Sequence, residues 1–182
     1  MPQSHGWTLE MVHALPDDGN RYELIDGELF VTPAPTGEHQ NAAAMLWDLL
    51  HPFARSHELQ VLFAPFAVRI RGPGEVQPDL VAFRRPRGER IPDLVDIADL
   101  VLAVEILSPG TTRADRQVKR RLYQSCGVAE YWIVDLSSRA IERWSPAHLE
   151  AEVLSTTLTW DPPPGDARLQ VDVAAYFQSV FD

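Results

Sequence analysis

The segment Leu100 to Leu107, LVLAVEIL, constrains this chain more than any other. It is too short for a typical helix and apolar on both faces, which describes a strand covered from both sides. A sheet covered in this way needs a layer above and a layer below, so the run predicts a three-layer domain. One residue breaks the pattern. Glu105 would lose its hydration inside that strand at a cost on the order of several kcal/mol, so it needs a cation, a metal or a proton.

The surrounding spacing predicts the other elements. Trp7 to Leu15 reads as a short helix capped by Thr8, followed by a turn at Pro16 to Gly19. Arg21–Ile25 and Glu28–Thr32 flank Asp26-Gly27, a strong hairpin signal. Glu38 to Ser56 carries Ala42, Met45, Leu46, Leu49 and Leu50 at helical spacing, and Pro52 should end or kink that helix. Val61 to Ile70 and Pro78 to Phe83 read as strands. Thr112-Arg113-Ala114-Asp115 fits a capping box opening a helix to about Cys126, where Gly127 supplies a left-handed stop. Tyr131–Asp135 and Ala140–Trp144 are strands paired around Ser137-Ser138. Ala151–Thr159 is a weaker strand, and Val171–Phe177 a terminal helix. The order implies an α/β (α+β) fold, a mixed central sheet flanked by helices with an N-terminal hairpin. It is expected as one domain over 1–182, with helix and hairpin at 7–32, core at 38–135, and C-terminal strands and helix at 139–180.

Composition narrows the function classes. At 182 residues, 45% apolar and 23% charged, the chain is an ordinary globular one, without repeats or wholesale disorder. It has no run of about 18 apolar residues, and Glu10 and two histidines sit where a signal peptide would be apolar, so a cytoplasmic protein with no membrane partner is expected. Cys126 is the only cysteine, which excludes an internal disulfide and a thiolate zinc cluster.

The net charge of −10 is unevenly spread. Arg84–Arg90 and Arg113–Arg121 hold 9 of the 16 basic residues and carry a local charge of +7, against −17 elsewhere. An acidic protein with such segregation can accept an anionic substrate at one place. Arg84, Arg85, Arg87, Arg113, Arg116 and Arg120 are the candidates to grip phosphates. Fifteen of the basic residues are arginine, and Lys119 is the single lysine. An amine kept only once suggests a specific need for a compact point charge that can touch one oxygen or water.

If strands 78–83 and 100–107 are antiparallel neighbours, Asp79 lies next to Glu105 and two carboxylates face one point. Such oxygen ligands suit Mg²⁺ or Mn²⁺ and leave room for a phosphate. Lys119 lies on the helix leaving the Glu105 strand, and its long stem can lean back over the strand ends. Asp115, Lys119 and Tyr123 share a helix stripe, with Asp115 read as an exposed partner of Lys119 or as the helix cap. Glu23, His39 and Tyr123 are further candidates to line a site. Tyr131, Trp132 and Cys126 read as core residues, and Asp135 as a strand end.

Gln77-Pro78-Asp79, Val104 to Pro109, the Asp115/Lys119/Tyr123 stripe and Gly127 to Asp135 together resemble the Uma-two family of bacterial restriction-endonuclease-like proteins, within the PD-(D/E)XK nuclease superfamily. Arg21 to Leu29, Pro33 to Pro35 and His39-Gln40 resemble that family's amino-terminal segment, so the likeness spans nearly the whole chain. The resemblance implies a restriction-endonuclease-like core in which Asp79 and Glu105 bind a divalent metal, with the Ile106 carbonyl as a third ligand. The commonest pattern has a lysine at the place of Leu107, and Lys119 is the substitute on the following helix. The expected function is metal-dependent phosphodiester hydrolysis of DNA, and a homodimer would place two sites on a duplex. A catalytically inactive nucleic-acid-binding or regulatory protein of the same fold is the alternative.

Overall fold

The computed structural model of the protein describes residues 6–182. Residues 1–5, part of the expected 1–182 span, lie outside the described residues. Helix α1 (Leu9–His13) begins at Thr8, whose hydroxyl accepts from the Met11 amide. The hairpin β1 (Arg21–Ile25) and β2 (Glu28–Thr32) follows as expected. Asp26 (φ 51°) and Gly27 (φ 79°) supply the two left-handed residues that its tight turn requires.

Helix α2 (Gly37–Ser56) does not stop at Pro52. Proline removes one internal hydrogen bond, but the buried face Ala42, Leu46, Leu50 and Ala54 extends beyond it, and this packing holds the last turn. The expected strand Val61–Ile70 is two strands in different sheets, β3 (Leu59–Phe63) and β4 (Ala67–Arg69). Pro65, with no amide to give a ladder, lies in the break between them. Strands β5 (Glu75–Val76), β6 (Leu80–Arg84), β7 (Leu94–Asp96) and β8 (Leu100–Ile106) come next.

Beyond β8 the chain forms a π-helical segment, Ala114–Lys119, continued by α3 (Arg120–Cys126), which ends at Gly127 with φ 79°. The expected capping box is absent. The Thr112 hydroxyl donates to the Ser108 carbonyl (2.9 Å), and Asp115 is buried, facing Lys119. Strands β9 (Glu130–Asp135) and β10 (Ala140–Trp144) pair around Ser137-Ser138. The expected strand Ala151–Thr159 is split into β11 (Glu152–Leu154) and β12 (Thr157–Trp160). β12 pairs with β13 (Leu169–Asp172), and helix α4 (Val173–Phe181) starts where Asp172 caps it. The predicted terminal helix therefore begins two residues late, because Val171 packs as a strand residue.

The central sheet has the order β11-β10-β9-β8-β6-β3, with β8 and β9 parallel and the other pairs antiparallel. Every residue of β8 is buried, as the apolar run demanded. Period-two alternation sends Leu80, Ala82, Leu102, Val104 and Trp132 to one face, where α2 and α4 pack. Val81, Phe83, Ala103, Tyr131 and Ile133 point to the other face. There the cover includes α3 and a second sheet, β2-β1-β5-β4-β7, built on the N-terminal hairpin. The mixed central sheet flanked by helices, with an N-terminal hairpin, is the expected fold; the second sheet into which the hairpin extends adds to it. That second sheet also brings β1 over the face that carries Glu105.

Candidate active site

Register places the first acid pair. Leu80 of β6 lies opposite Val104 of β8, so Asp79, one residue before Leu80, falls beside the end of β8. Its Oδ2 accepts the Ile106 amide at 2.8 Å. Arg21 of β1 donates from Nη1 to Asp79 Oδ1 (2.8 Å) and to the Gln77 carbonyl (3.1 Å). His39, in the first turn of α2, holds Nε2 at 3.1 Å from Asp79 Oδ2. Asp79 is thus enclosed by groups from three elements.

The second cluster surrounds the lone lysine. Lys119 Nζ lies 2.7 Å from Glu23 Oε2, 3.0 Å from Glu105 Oε1 and 3.7 Å from Asp115 Oδ1, and all four side chains are buried. The π-helical turn presents both Asp115 and Lys119 inward. Tyr123 donates to Glu105 Oε1 at 3.3 Å, and Tyr131 donates to the Asp115 carbonyl at 3.1 Å. Glu23 ties the clusters together, because its Oε1 accepts the Gln77 amide at 2.8 Å, two residues before Asp79.

Charge is unbalanced here. Among the described residues, Glu23, Asp79, Glu105 and Asp115 face two permanent cations, Lys119 and Arg21, with His39 beside them. Burial pushes the Asp79 carboxyl up, but the His39 hydrogen bond, the Arg21 charge and the Ile106 amide outweigh it and hold it below the usual carboxylate range. Glu105 goes the other way. Burial raises it well above the usual range, and the Lys119 charge does not offset that loss of hydration together with Asp115, Asp79 and Glu23. Asp115 is also raised, first by burial. Burial by itself would favour loss of the Lys119 proton, yet Glu105, Glu23 and Asp115 raise its affinity above that of a free lysine, so the amine stays charged.

Asp79, Glu105, Lys119, Glu23, His39 and Tyr123 are therefore brought together, and Ile106 touches Asp79 through its amide. The basic segments are not gathered at the same place. Arg84 to Arg87 leave β6 at the end opposite Asp79, where Arg84 bonds the Pro163 carbonyl and Arg85 bonds Gln60 at 3.1 Å. Arg116 is paired with Asp135 (2.9 Å) and Glu142 (2.8 Å), and Arg120 lies over the Trp144 ring at 4.7 Å. Arg87 and Arg113 remain exposed. The sequence reading missed Arg21 and took Asp115 for an exposed residue or a cap. The signals were present: Arg21 and Glu23 share a face of β1 by period two, and Asp115 stands four residues before the only lysine.

Among the described residues no three His, Cys, Asp or Glu side chains form a ready metal cage. Mg²⁺ does not require one, since one or two carboxylates with waters and substrate phosphates commonly hold it. In kind the donor set fits a hard divalent ion. It offers oxygen ligands, more buried anions than cations, and a buried Asp115 Oδ1 with no hydrogen-bond partner. Beside Asp79, between α1, β1 and α2, opens a cavity of about 700 Å³.

The three-layer arrangement, with a mixed sheet between helices and a carboxylate pair on adjacent strands, is a nuclease-like fold. Residues 9–174 match the Uma2 family, whose description is "Putative restriction endonuclease", and the chain belongs to that family. Among solved structures it superposes on a protein from Anabaena variabilis ATCC 29413 described as "a putative nuclease belonging to DUF820". That match has a TM-score of 0.80 and 19% identity, covering 96% of this chain and 99% of the other. At such identity the likeness is one of fold. A search of curated proteins finds no match. Among the described residues no helix is long and apolar enough to cross a membrane.

Proposed function

We propose that the chain is a divalent-metal-dependent phosphodiesterase that cuts DNA internally, with Asp79 and Glu105 as metal carboxylates and Lys119 as the relocated lysine. The observation that carries this reading is the 3.0 Å contact between Lys119 Nζ and Glu105 Oε1, on the sheet face where Asp79 meets the end of the same strand. A Mg²⁺ or Mn²⁺ ion held by Asp79 and Glu105, with the Ile106 carbonyl, would lower the pKa of a bound water and neutralise charge on the scissile phosphate.

The remaining work belongs to the chain's own residues. Lys119, kept protonated by three carboxylates, is a donor and not a base, suited to orienting water or stabilising developing negative charge. Glu23 and Asp115 hold the amine in place from opposite elements. Arg21 and His39 keep Asp79 ionised. Arg87 and Arg113 are left to contact flanking phosphates without base readout. Cutting both strands of a duplex would bring two copies together.

A second reading, an inactive nucleic-acid-binding protein of this fold, draws support from Asp79, whose two oxygens already carry Arg21, His39 and the Ile106 amide. Cleavage of plasmid and single-stranded DNA with and without Mg²⁺ or Mn²⁺, run beside Asp79→Ala and Lys119→Ala, separates the two. Metal-dependent nicking lost in both variants supports the enzyme. Equal nicking in wild type and variants refutes this active site, and DNA binding with no cleavage under either metal favours the second reading.

A further inference from the structure

The cavity beside Asp79 has no part in the chemistry above. Val12, Leu15, Ala43, Ala44 and Pro65 give it apolar walls. Phe63 stands at its rim, 57% exposed, with Trp47 edge-on behind it at 6.1 Å between ring centroids. Three carboxamides, those of Asn20, Gln40 and Gln77, line the same space. The Asn20 side chain is engaged by Asp18 and Tyr22, whereas among the described residues Gln40 and Gln77 hydrogen-bond only through their backbone groups, so these two side chains keep free donors and acceptors. The volume lies within the ~300–1,000 Å³ typical of small-molecule sites.

Charge decides which part of a nucleotide fits. Asp17, Glu75 and Asp79 line the cavity against Arg21, His13 and His39, so there is no net positive field to draw in a phosphate. A neutral, flat heterocycle with amide-like edges is matched by an aromatic ring and free carboxamides. Because the cavity reaches Asp79, its occupant must adjoin the group undergoing reaction. We infer that this cavity is a nucleobase pocket: one base next to the scissile phosphate leaves its stack, lies on Phe63, and is read by Gln40 and Gln77. The inference rests on the phosphodiesterase reading above and adds that the substrate is a single strand or a locally unpaired duplex, since a flipped base costs least there.

An abasic scan tests it. Short single-stranded DNAs, each with one abasic position moved stepwise along the strand, are titrated by fluorescence anisotropy against wild type and Phe63→Ala, in EDTA and again in Ca²⁺. Phe63 is mostly in water, so the variant should fold, and circular dichroism verifies this. One abasic position is expected to weaken wild-type binding about tenfold, Phe63→Ala to weaken binding of intact DNA by a similar factor, and the two changes together to cost no more than either alone. Val153→Ala, exposed and outside the cavity, should keep the wild-type profile. Penalties that multiply, or the absence of any sensitive position, overturn the pocket while leaving cleavage by Asp79 and Glu105 intact. Failure of the wild type to bind DNA at all removes the pocket and the proposed function together.

Discussion

Replacing Lys119 by methionine isolates the electrostatic balance of the site. The amine lies within 2.7–3.7 Å of Glu23, Glu105 and Asp115, and methionine keeps most of its stem volume while removing the charge. Three buried carboxylates would then face each other without their shared cation. Stripping one partner from a buried ion pair costs about 3–5 kcal/mol, and for a domain of this size each kcal/mol lowers Tm by roughly 2–4 °C. The expected loss is about 6–20 °C at pH 8. Burial and mutual repulsion already hold Glu105 and Asp115 above their ordinary carboxyl values, and loss of the amine raises them further. A raised folded-state value means that the native form binds protons more tightly than the unfolded chain, so stability is retained at low pH and lost as pH rises through that value. The deficit should therefore shrink from pH 8 to pH 5. Asp79, whose value is depressed, acts in the opposite sense and only below about pH 4, outside that window. Glu105→Gln is the contrasting variant: Lys119 keeps Glu23 and Asp115, one buried anion disappears, and Tm at pH 8 should hold or rise. Thermal unfolding by circular dichroism at pH 5 and 8 measures all three proteins. A Lys119→Met loss below about 3 °C and equal at both pH values would refute the cluster as the place where the charge is held.

Further outcomes follow from the same structure. Mg²⁺ at about 100 times its Kd should stabilise the wild type by about 2.7 kcal/mol, visible as a rise in Tm, and Asp79→Asn should abolish that rise; an equal rise in the variant would place the metal elsewhere. EDTA should abolish DNA cleavage and added Mn²⁺ restore it, as read on agarose gels of plasmid. Gly74→Ala would put a Cβ 2.6 Å from the Leu24 carbonyl and 2.5 Å from Ile70 Cδ1, so the hairpin sheet should lose about 1–3 kcal/mol in urea unfolding. Leu46→Ala, in the buried face of α2, should cost about 2–5 kcal/mol by the same measurement with cleavage retained near its melting limit.

Much of the fold was legible because burial writes itself into local patterns. LVLAVEIL announced a strand covered on both faces, Asp26-Gly27 a hairpin, and Gly127 a helix stop, each from steric or hydration rules that act within a few residues. The expense of Glu105 and the solitude of Lys119 marked the site, and the antiparallel pairing of two short strands set Asp79 beside it. Where elements meet across the chain, local rules have no reach. Period two did put Arg21 and Glu23 on one face of β1, but nothing in that strand says that the face closes over β8. The partner of Arg21 is 58 positions away. Asp115 looked like a cap because its neighbours permit one, and only the packing of the π-helical turn against β8 makes it a buried anion. Sequence determined which side chains must leave water and which cannot leave it alone; tertiary structure decided which charges they meet there, because Coulomb and desolvation energies depend on distances that only the assembled layers define.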